Sequence, residues 1–203
     1  MKSSNCLLYA DDAKFYKKVL SIADCIGLQL DIDSVLQWCK TWMISINVKK
    51  CAFIHFSLKR KIILSYSYTM LGQIIPSVTD IKDLGEIFTS NFSFNKHIND
   101  ITSKSFRLLG FLKRVLKPFK DRSVLLTLYL SLIRQKLEYA SFIWAPKAKS
   151  MCDKIERVQK KFFKFMCFQM NIRCIELSYS ELCYNFNVQS LSDRRKMTDL
   201  SLQ

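Results

Sequence analysis

Residues 5–18 read NCLLYADDAKFYKK, and this stretch decides how the beginning of the chain folds. Two short runs of β-prone residues, 6–9 and 13–19, stand on either side of the acidic pair Asp11-Asp12. Such runs, separated by only a few residues, are typical of a β-hairpin. The sequence therefore predicts a hairpin that carries Asp11 and Asp12 at its tip.

An amphipathic helix is predicted directly after this hairpin. Ser21 followed by Asp24 is typical of a helix start, because serine caps the first turn and an acid favours its positive end. Apolar residues then recur at three-to-four spacing for about 20 residues, which indicates a helix packed on the face of a sheet. These positions are Cys25, Leu28, Ile32, Val35, Leu36, Cys39 and Trp42.

Short β-prone segments follow this helix, and helical segments follow them. The β-prone segments are at 51–56, 62–66, 69–75 and 81–88. From Phe94 the apolar period becomes helical as far as Pro118, which cannot continue a helix, and further helices are predicted at 121–143 and 151–168. We therefore predict an α+β fold, with an α/β part at 1–91 and a basic helical part at 92–203.

The charge is concentrated in the second part. The chain carries a formal net charge of +15, of which residues 1–91 contribute +3 and residues 92–203 contribute +12. A field of this sign favours a polyanion, either a nucleic acid or an anionic membrane surface.

Several classes of protein are disfavoured. No apolar run reaches the roughly 18 residues that a transmembrane helix needs. The apolar run before Asp11 is too short for a signal peptide, so an intracellular protein is expected. The eight cysteines include no Cys-x-x-Cys pair, and His55 and His97 sit near none of the clusters that a zinc site would need, so we expect reduced thiols and no zinc site.

The acidic pair has two interpretations from its residues alone. Two-metal phosphoryl transfer needs clustered carboxylates, because two Mg²⁺ ions about 4 Å apart share hard oxygen ligands. Turns also favour aspartate for backbone reasons, so taken alone the pair is weak evidence for a metal site and is more typical of a solvated turn.

The segment LLYADDAKFY, residues 7–16, resembles the reverse transcriptases of non-LTR retrotransposons. Their palm subdomain carries the tetrad Tyr-Ala-Asp-Asp on a β-hairpin, and Tyr9, Ala10, Asp11 and Asp12 match it at every position. The resemblance implies a partial palm, made of an antiparallel hairpin, a helix and strands, followed by an α-helical thumb-like region.

Later segments continue the resemblance in the same order. Residues 28–56 look like the family's next helix and strand, whose usual Leu-Asn-x-x-Lys-Cys core reads Ile-Asn-Val-Lys-Lys-Cys at 46–51. IKDLGEIF, residues 81–88, is similar to the next motif, with Leu84-Gly85 in the place of the primer grip. Three segments look like the thumb and the region beyond it in jockey-type insect elements: FNKHINDITSKSFRLLGFLKR, LYLSLIRQKLEYASFIWAP and IERVQKKFFKF.

The resemblance implies roles for residues of the first part. Asp11 would coordinate catalytic Mg²⁺ with Asp12 assisting more peripherally, and Tyr9 and Ala10 would help to position the substrate strand. Lys50 matches a lysine that neutralises or protonates the departing pyrophosphate, although it could be a surface lysine before a strand.

Further roles are implied for later residues. Leu84 and Gly85 would position the end of the primer, since glycine permits close backbone approach; otherwise they are a turn beside a core leucine. Five basic residues would face the template–primer backbone, or else form a solvated basic face. These are Lys104, Arg107, Lys113, Arg114 and Lys117.

Four phenylalanines lie among Lys160, Lys161 and Lys164 in the third helical segment. They could stack on bases, or they could be core residues or contacts to a partner. They are Phe162, Phe163, Phe165 and Phe168.

The chain also departs from the family. The family has an earlier acidic motif that supplies another metal-binding aspartate, and fingers that bind nucleotide, for which residues 1–4 leave no room. We therefore expect a fragment that is inactive alone. The intact enzyme would be an RNA-directed DNA polymerase that uses an RNA template, a DNA primer, deoxynucleoside triphosphates and Mg²⁺. The alternatives are a non-catalytic nucleic-acid-binding module and a decayed retroelement remnant.

Overall fold

A computed structural model describes residues 4–57, 65–173 and 177–201, and they combine helices with short strands. The strands are β1 Asn5–Tyr9, β2 Asp12–Tyr16, β3 Phe53–Ile54, β4 Thr69–Met70, β5 Gln73–Ile74, β6 Ser77–Val78, β7 Asp80–Asp83 and β8 Glu86–Thr89. The helices are α1 Ile22–Thr41, α2 Asn95–Val115, α3 Arg122–Leu128, α4 Gln135–Glu138, α5 Ser141–Trp144, α6 Lys149–Gln169, α7 Tyr179–Phe186 and α8 Leu191–Ser201. This content is compatible with the predicted α+β class.

The chain divides into two compact units. The first unit comprises Met1–Ile81 and Thr89–Phe92, and the second, called the helical unit below, comprises Lys82–Phe88 and Ser93–Gln203. The boundary drawn from the sequence after residue 91 differs from this division, because it leaves residues 82–88 with the first part. Their packing against helices, which the linear sequence does not display, joins them to the helical unit.

The hairpin at the beginning of the chain has the predicted form. β1 and β2 pair antiparallel, with Tyr9 opposite Asp12 and Leu8 opposite Ala13. Ala10 and Asp11 make the two-residue connection, and Ala10 has a φ of +52°. Tight hairpin turns require positive φ, which orients the connection to match the twist of the strands. Asp11 therefore lies in the turn itself, and Asp12 begins the second strand.

Helix α1 confirms the start and the length that the sequence predicts. Ser21 Oγ accepts the backbone N–H of Asp24, and the Asp24 carboxylate accepts the backbone N–H of Ser21, which completes a capping box. The buried side of the helix contributes Cys25 and Ile32 to a small core with Tyr68 and Ile75. Trp42, which the sequence places on the apolar face, is instead 65% exposed.

The strands that follow α1 are much shorter than the β-prone runs that contain them. β3 pairs parallel with β6, and β4 pairs antiparallel with β5, over two residues each. The side-chain amide of Gln29 on α1 extends this second pair, since it donates to Thr69 O and accepts from Thr69 N, both at 2.9 Å. Of the predicted run 62–66, positions 62–64 lie outside the described residues, and 65–66 are not in a strand.

Two long parallel helices organise the helical unit. Contacts between α2 and α6 advance in the same direction along both, from Asn99 with Lys154 to Leu116 with Gln169. The Gln169 amide is buried and donates to the carbonyls of Leu116, Lys117 and Phe119 at 2.9–3.1 Å. It satisfies carbonyls that the end of α2 leaves without helical partners.

The predicted helix at 121–143 is wrong as a single element. Its first part is α3, a π-helical turn at Tyr129–Arg134 and α4, after which the chain breaks at Tyr139 and Ala140 before α5. Ala140 has a φ of +48°. The Trp144 indole N–H donates to Tyr139 O at 2.9 Å, so a tertiary-packed tryptophan takes a carbonyl released by the break.

Helices α7 and α8 were not predicted. A capping box between Ser178 and Glu181 begins α7, and this pair was a readable signal. Both helices close a core in which the rings of Phe163 and Phe186 stack with centroids 5.2 Å apart.

The cysteines agree with the expectation of free thiols at six described positions, namely Cys6, Cys25, Cys39, Cys51, Cys152 and Cys183. Cys167 differs, because it is disulfide-bonded. Among the described residues, no helix is both long and apolar enough to span a bilayer.

Candidate functional site

The acidic pair is presented to solvent by its hairpin. The side chains of Asp11 and Asp12 are exposed, and Tyr9, which stands opposite Asp12, is 62% exposed. Leu7 and Leu8 in the same strand are also exposed, at 57% and 76%. The hairpin therefore displays two carboxylates and an aromatic ring without packing them into a core.

These carboxylates supply part of a Mg²⁺ ligand set. Their oxygens are the hard donors that Mg²⁺ prefers, and they stand at adjacent positions of one tight turn. Within the described ranges, no group of three or more histidine, cysteine, aspartate or glutamate side chains is arranged to hold a metal ion. The residues present thus fit a metal site only as contributors beside further ligands.

Lys50 closes a short 3₁₀ turn, Val48–Lys50, whose first residue follows Asn47. Asn47 Oδ1 accepts the backbone N–H of Lys49 at 3.2 Å, and the N–H of Lys50 donates to Asn47 O at 3.0 Å. Both lysine side chains are exposed. Lys49, and not Lys50, lines a shallow open depression with Leu71 and Gln73.

The turn Leu84–Gly85 belongs to the helical unit and contacts Tyr139 of the same unit. Leu84 and Gly85 have φ values of +46° and +96° and connect the paired strands β7 and β8. The Tyr139 hydroxyl donates to Leu84 O at 3.1 Å, and a Cβ added to Gly85 would lie 3.5 Å from Cε1 of the same ring. Gly85 is required by its backbone, because side chains rarely tolerate that φ.

A buried acid and imidazole stand directly after this turn. Glu86 and His97 are 3% and 2% exposed, and Oε2 of Glu86 lies 2.7 Å from Nε2 of His97. The two atoms are close without forming a well-aligned hydrogen bond. His97 Nδ1 accepts the N–H of Ile87 at 3.3 Å, so the proton of the neutral ring is on Nε2, facing the carboxylate. This pair fixes β8 against α2.

Burial shifts both members of the pair toward their neutral forms. Desolvation raises the pKa of Glu86 to about 7. Desolvation also lowers the pKa of His97, and it is the largest cause of that shift. The negative charge of Asp100 acts in the opposite direction, and the positive charge of Lys104 lowers the pKa slightly further. A carboxylate that is readily protonated near neutral pH therefore lies beside the Leu84–Gly85 turn.

The five basic residues predicted to face a nucleic acid differ in availability. Arg107, Arg114 and Lys117 are exposed. Lys104 is engaged, since its Nζ lies 2.6 Å from Asp100 Oδ2 one helical turn away. Lys113 is half-buried, with Nζ 5.7 Å from the centroid of the Phe165 ring, and burial lowers its pKa, with Lys161 adding to the effect. Arg107 and Arg114 thus form the accessible centre of this face.

Sequence reasoning missed an aromatic residue on that same face. Phe111 is 51% exposed and stands four residues after Arg107 and three before Arg114. Residues at this spacing share one side of a helix. The spacing itself was a signal that could have found it.

The predicted residues belong to both units. Tyr9, Ala10, Asp11, Asp12 and Lys50 lie in the first unit. Leu84, Gly85 and the five basic residues lie in the helical unit. Tyr139, Glu86 and His97 surround the Leu84–Gly85 turn; they lie within the family-like segments, but the sequence analysis assigned no role to any of them.

Three curated proteins are similar to this chain. The RNA-directed DNA polymerase from mobile element jockey of Drosophila funebris is 26% identical over 160 residues, which are 77% of this chain and 17% of that protein. The probable RNA-directed DNA polymerase from transposon BS of Drosophila melanogaster is 25% identical over 160 residues, 75% of this chain and 17% of that protein. The corresponding probable polymerase from transposon X-element of the same fly is 26% identical over 131 residues, 62% of this chain and 14% of that protein.

The chain thus spans about a sixth of the length of the curated relatives it matches. No family model matches it, and no solved structure does. The three matches confirm the resemblance to retrotransposon reverse transcriptases that the sequence motifs indicate.

Proposed function

We propose, from its similarity to RNA-directed DNA polymerases of Drosophila mobile elements, that this chain is part of a non-LTR retrotransposon reverse transcriptase. Residues 1–91 would belong to its palm and residues 92–203 to its thumb and the region beyond. The observation that carries the proposal is the hairpin itself, since a Tyr-Ala-Asp-Asp tetrad occupies a tight turn with both carboxylates exposed.

In this proposal the whole polymerase extends a DNA primer on an RNA template with deoxynucleoside triphosphates. Asp11 and Asp12 would hold Mg²⁺ together with further ligands, and the metal would supply activation of the attacking oxygen and neutralisation of developing charge. Tyr9 would contact the substrate strand beside Asp12. The 203 residues by themselves would bind template–primer without extending it, because their described acids form only a partial ligand set.

The chain's own residues contribute positioning in two places. Leu84 and Gly85 would present backbone to the primer end, in a turn kept rigid by the Tyr139 hydroxyl and by the Glu86–His97 pair. Arg107 and Arg114 would contact backbone phosphates. Lys50 would act near the departing pyrophosphate, and Lys104, Lys113 and Lys117 would add positive field around the duplex.

A second candidate function is a nucleic-acid-binding module without catalysis. It is favoured by the exposed Arg107, Phe111 and Arg114 on α2, which need no metal to bind a phosphate backbone. The two functions differ in whether the acidic hairpin approaches the bound nucleic acid.

Magnesium dependence of duplex binding separates the two functions. We expect millimolar Mg²⁺, compared with KCl of equal ionic strength, to raise the affinity of the 203-residue chain for a labelled RNA–DNA duplex with a recessed primer end. Carboxylates near phosphate repel it until a cation neutralises them, so Asp11→Asn/Asp12→Asn should remove the Mg²⁺ increment. Fluorescence anisotropy measures both affinities. An increment of equal size in wild type and variant would contradict the polymerase proposal and leave the binding module.

The basic face of α2 is tested by charge reversal. We expect Arg107→Glu/Arg114→Glu to weaken binding of the same duplex about tenfold or more, because two phosphate contacts are lost and replaced by repulsion. The slope of log affinity against log salt should fall by about 2.

The matched control for this test is Lys120→Glu/Lys147→Glu, which makes the same change of charge at two exposed positions of the helical unit outside α2. An equal loss of affinity in the control would show a response to net charge alone, and would refute a specific phosphate-binding face on α2.

A further inference from the structure

The outward face of α6 carries a second row of cations that ends in an exposed ring. Arg157, Lys161 and Lys164 are exposed, and Phe168 is 77% exposed. They follow one another at spacings of four, three and four residues, so they share one side of the helix. We call these four residues the α6 stripe. At about 1.5 Å per residue it extends for roughly 16 Å.

The burial of α6 sets the stripe apart from its neighbours. Phe162, Phe163 and Phe165 are 1%, 0% and 9% exposed, which assigns them to the core. Of the four phenylalanines for which the sequence left base stacking and core packing open, Phe168 is therefore the one that is accessible to solvent. The Phe168 ring lies at the end of a basic face and is not among the residues of the helical core.

The electrostatics of the stripe favour an anion. The acids of α6 are Asp153, one turn before Arg157, and Glu156, which is buried, and none follows up to Phe168. Lys161 lies with Nζ 4.9 Å from the ring centroid of Phe106 on α2. The positive charge of Lys161 also acts on the half-buried Lys113, where it helps to lower the pKa of the ammonium group. A bound phosphate would offset the repulsion between these two ammonium groups.

We propose that the α6 stripe binds an unpaired strand of nucleic acid, with Arg157, Lys161 and Lys164 on successive phosphates and Phe168 stacked on a base. This inference rests on the proposed function, because it extends the same partner to a second surface of the helical unit. An exposed ring can stack on a base that is unpaired, whereas the bases of a duplex are already stacked on each other. A positively charged surface together with an exposed aromatic ring is the combination that binds single strands without sequence preference. The stripe thus differs in partner from the duplex-directed face of α2.

The experiment measures binding of the 203-residue chain to a labelled, unstructured oligo(dT) strand and to a fully paired hairpin of equal charge. We expect Phe168→Ala to reduce affinity for the single strand about 5- to 100-fold, as for loss of one stacked base, and to leave duplex affinity unchanged. We expect Lys161→Gln/Lys164→Gln to lower the salt slope for the single strand by about 1.4, the value for two phosphate contacts.

Two matched controls accompany these variants. Phe142→Ala removes another exposed ring of the helical unit, which is 54% exposed, and should leave single-strand affinity unchanged. Lys120→Gln/Lys147→Gln removes the same charge outside the stripe, and most of the salt dependence of single-strand affinity should remain in this variant. Circular dichroism checks that each variant retains the helical content of the wild type.

Three results would overturn the inference. Equal effects of Phe168→Ala and Phe142→Ala would show that no base stacks on Phe168. Equal losses on single strand and duplex would show a general polyanion surface. If Phe168→Ala and Lys161→Gln/Lys164→Gln lost binding to phosphatidylserine vesicles but bound oligo(dT) as the wild type does, the stripe would be assigned to a membrane. Each of these results leaves the Mg²⁺ and Arg107/Arg114 tests untouched, so failure of the stripe and failure of the proposed function are distinguishable.

Discussion

Replacing Phe163 by alanine is expected to destabilise the helical unit by about 3–5 kcal/mol, the usual cost of removing a buried phenylalanine. Phe163 is fully buried, and its ring stacks on Phe186 and lies 6.1 Å, centroid to centroid, from Phe162. It therefore joins α6 to α7 at the centre of the core. Since small domains have a free energy of unfolding of only about 5–15 kcal/mol, most of the stability of this unit would be lost.

The unfolding of the helical unit can be observed separately from that of the first unit. Trp144 is 1% exposed and belongs to the helical unit, whereas Trp38 and Trp42 are 55% and 65% exposed and belong to the first. In a Trp38→Phe/Trp42→Phe background, tryptophan fluorescence during urea unfolding follows Trp144 alone. The free energy of unfolding of Phe163→Ala should then be compared with that of the background protein.

Phe168→Ala is the matched control, because it makes the same chemical change at an exposed position of the same helix. We expect it to alter the free energy of unfolding by less than about 0.5 kcal/mol. Similar losses in both variants would contradict the assignment of Phe163 to the core and of Phe168 to the surface.

The second large effect concerns pH. The pKa of Glu86 is raised to about 7 in the folded chain, compared with an ordinary value of 4.5. A raised pKa means that its contribution to stability is complete below about pH 4.5 and is lost as pH rises through 7, where the buried carboxylate ionises. Glu86→Gln cannot ionise, so it should not show this loss. Relative to wild type, the variant should gain about 2–3 kcal/mol between pH 4.5 and pH 8.

His97 works in the opposite direction and is present in both proteins. Its lowered pKa means that its contribution falls as pH drops below the ordinary value of 6.5, where the unfolded chain takes up a proton more readily. Asp100 and Lys104, which also act on His97, are shared as well. The difference between wild type and Glu86→Gln therefore reports the ionisation of Glu86 together with its coupling to His97.

Urea unfolding at several pH values, followed by Trp144 fluorescence, measures this difference. Asp153→Asn removes an exposed carboxylate from the same unit and should give a pH profile parallel to that of wild type. A parallel profile for Glu86→Gln would mean that Glu86 ionises as easily in the folded chain as in the unfolded chain. Its role in holding β8 to α2 would then rest on packing alone.

Several features of the fold follow from short stretches of sequence, because backbone geometry and local hydrogen bonds decide them. The pair Ser21 and Asp24 marked the start of α1, since both bonds of its capping box lie within four residues. Pro118 marked the region where α2 ends, because proline supplies no N–H for a continuing helix. The motif order likewise indicated the relatives that the comparisons found.

The candidate site was foreseeable only in part. Asp11 and its hairpin could be located by the tetrad alone. The surroundings of Leu84 could not, because Tyr139 is 55 residues away in the chain and reaches the turn through a break in a helix. The same break, with its positive φ at Ala140, is why the prediction of one helix at 121–143 was wrong. The apolar period of these residues continues across the break, so the sequence pattern did not reveal it.

The sequence by itself determined the hairpin with its acidic tip, the start of α1, the long basic helices and the kinship of the chain. Only the tertiary structure decided which of several similar residues are available to a partner. Phe163 and Phe168 have the same side chain on one helix, and yet one is buried and the other is mostly exposed. The physical reason is that burial depends on which distant segments meet. Here α7 covers Phe163, and among the described residues no segment covers Phe168.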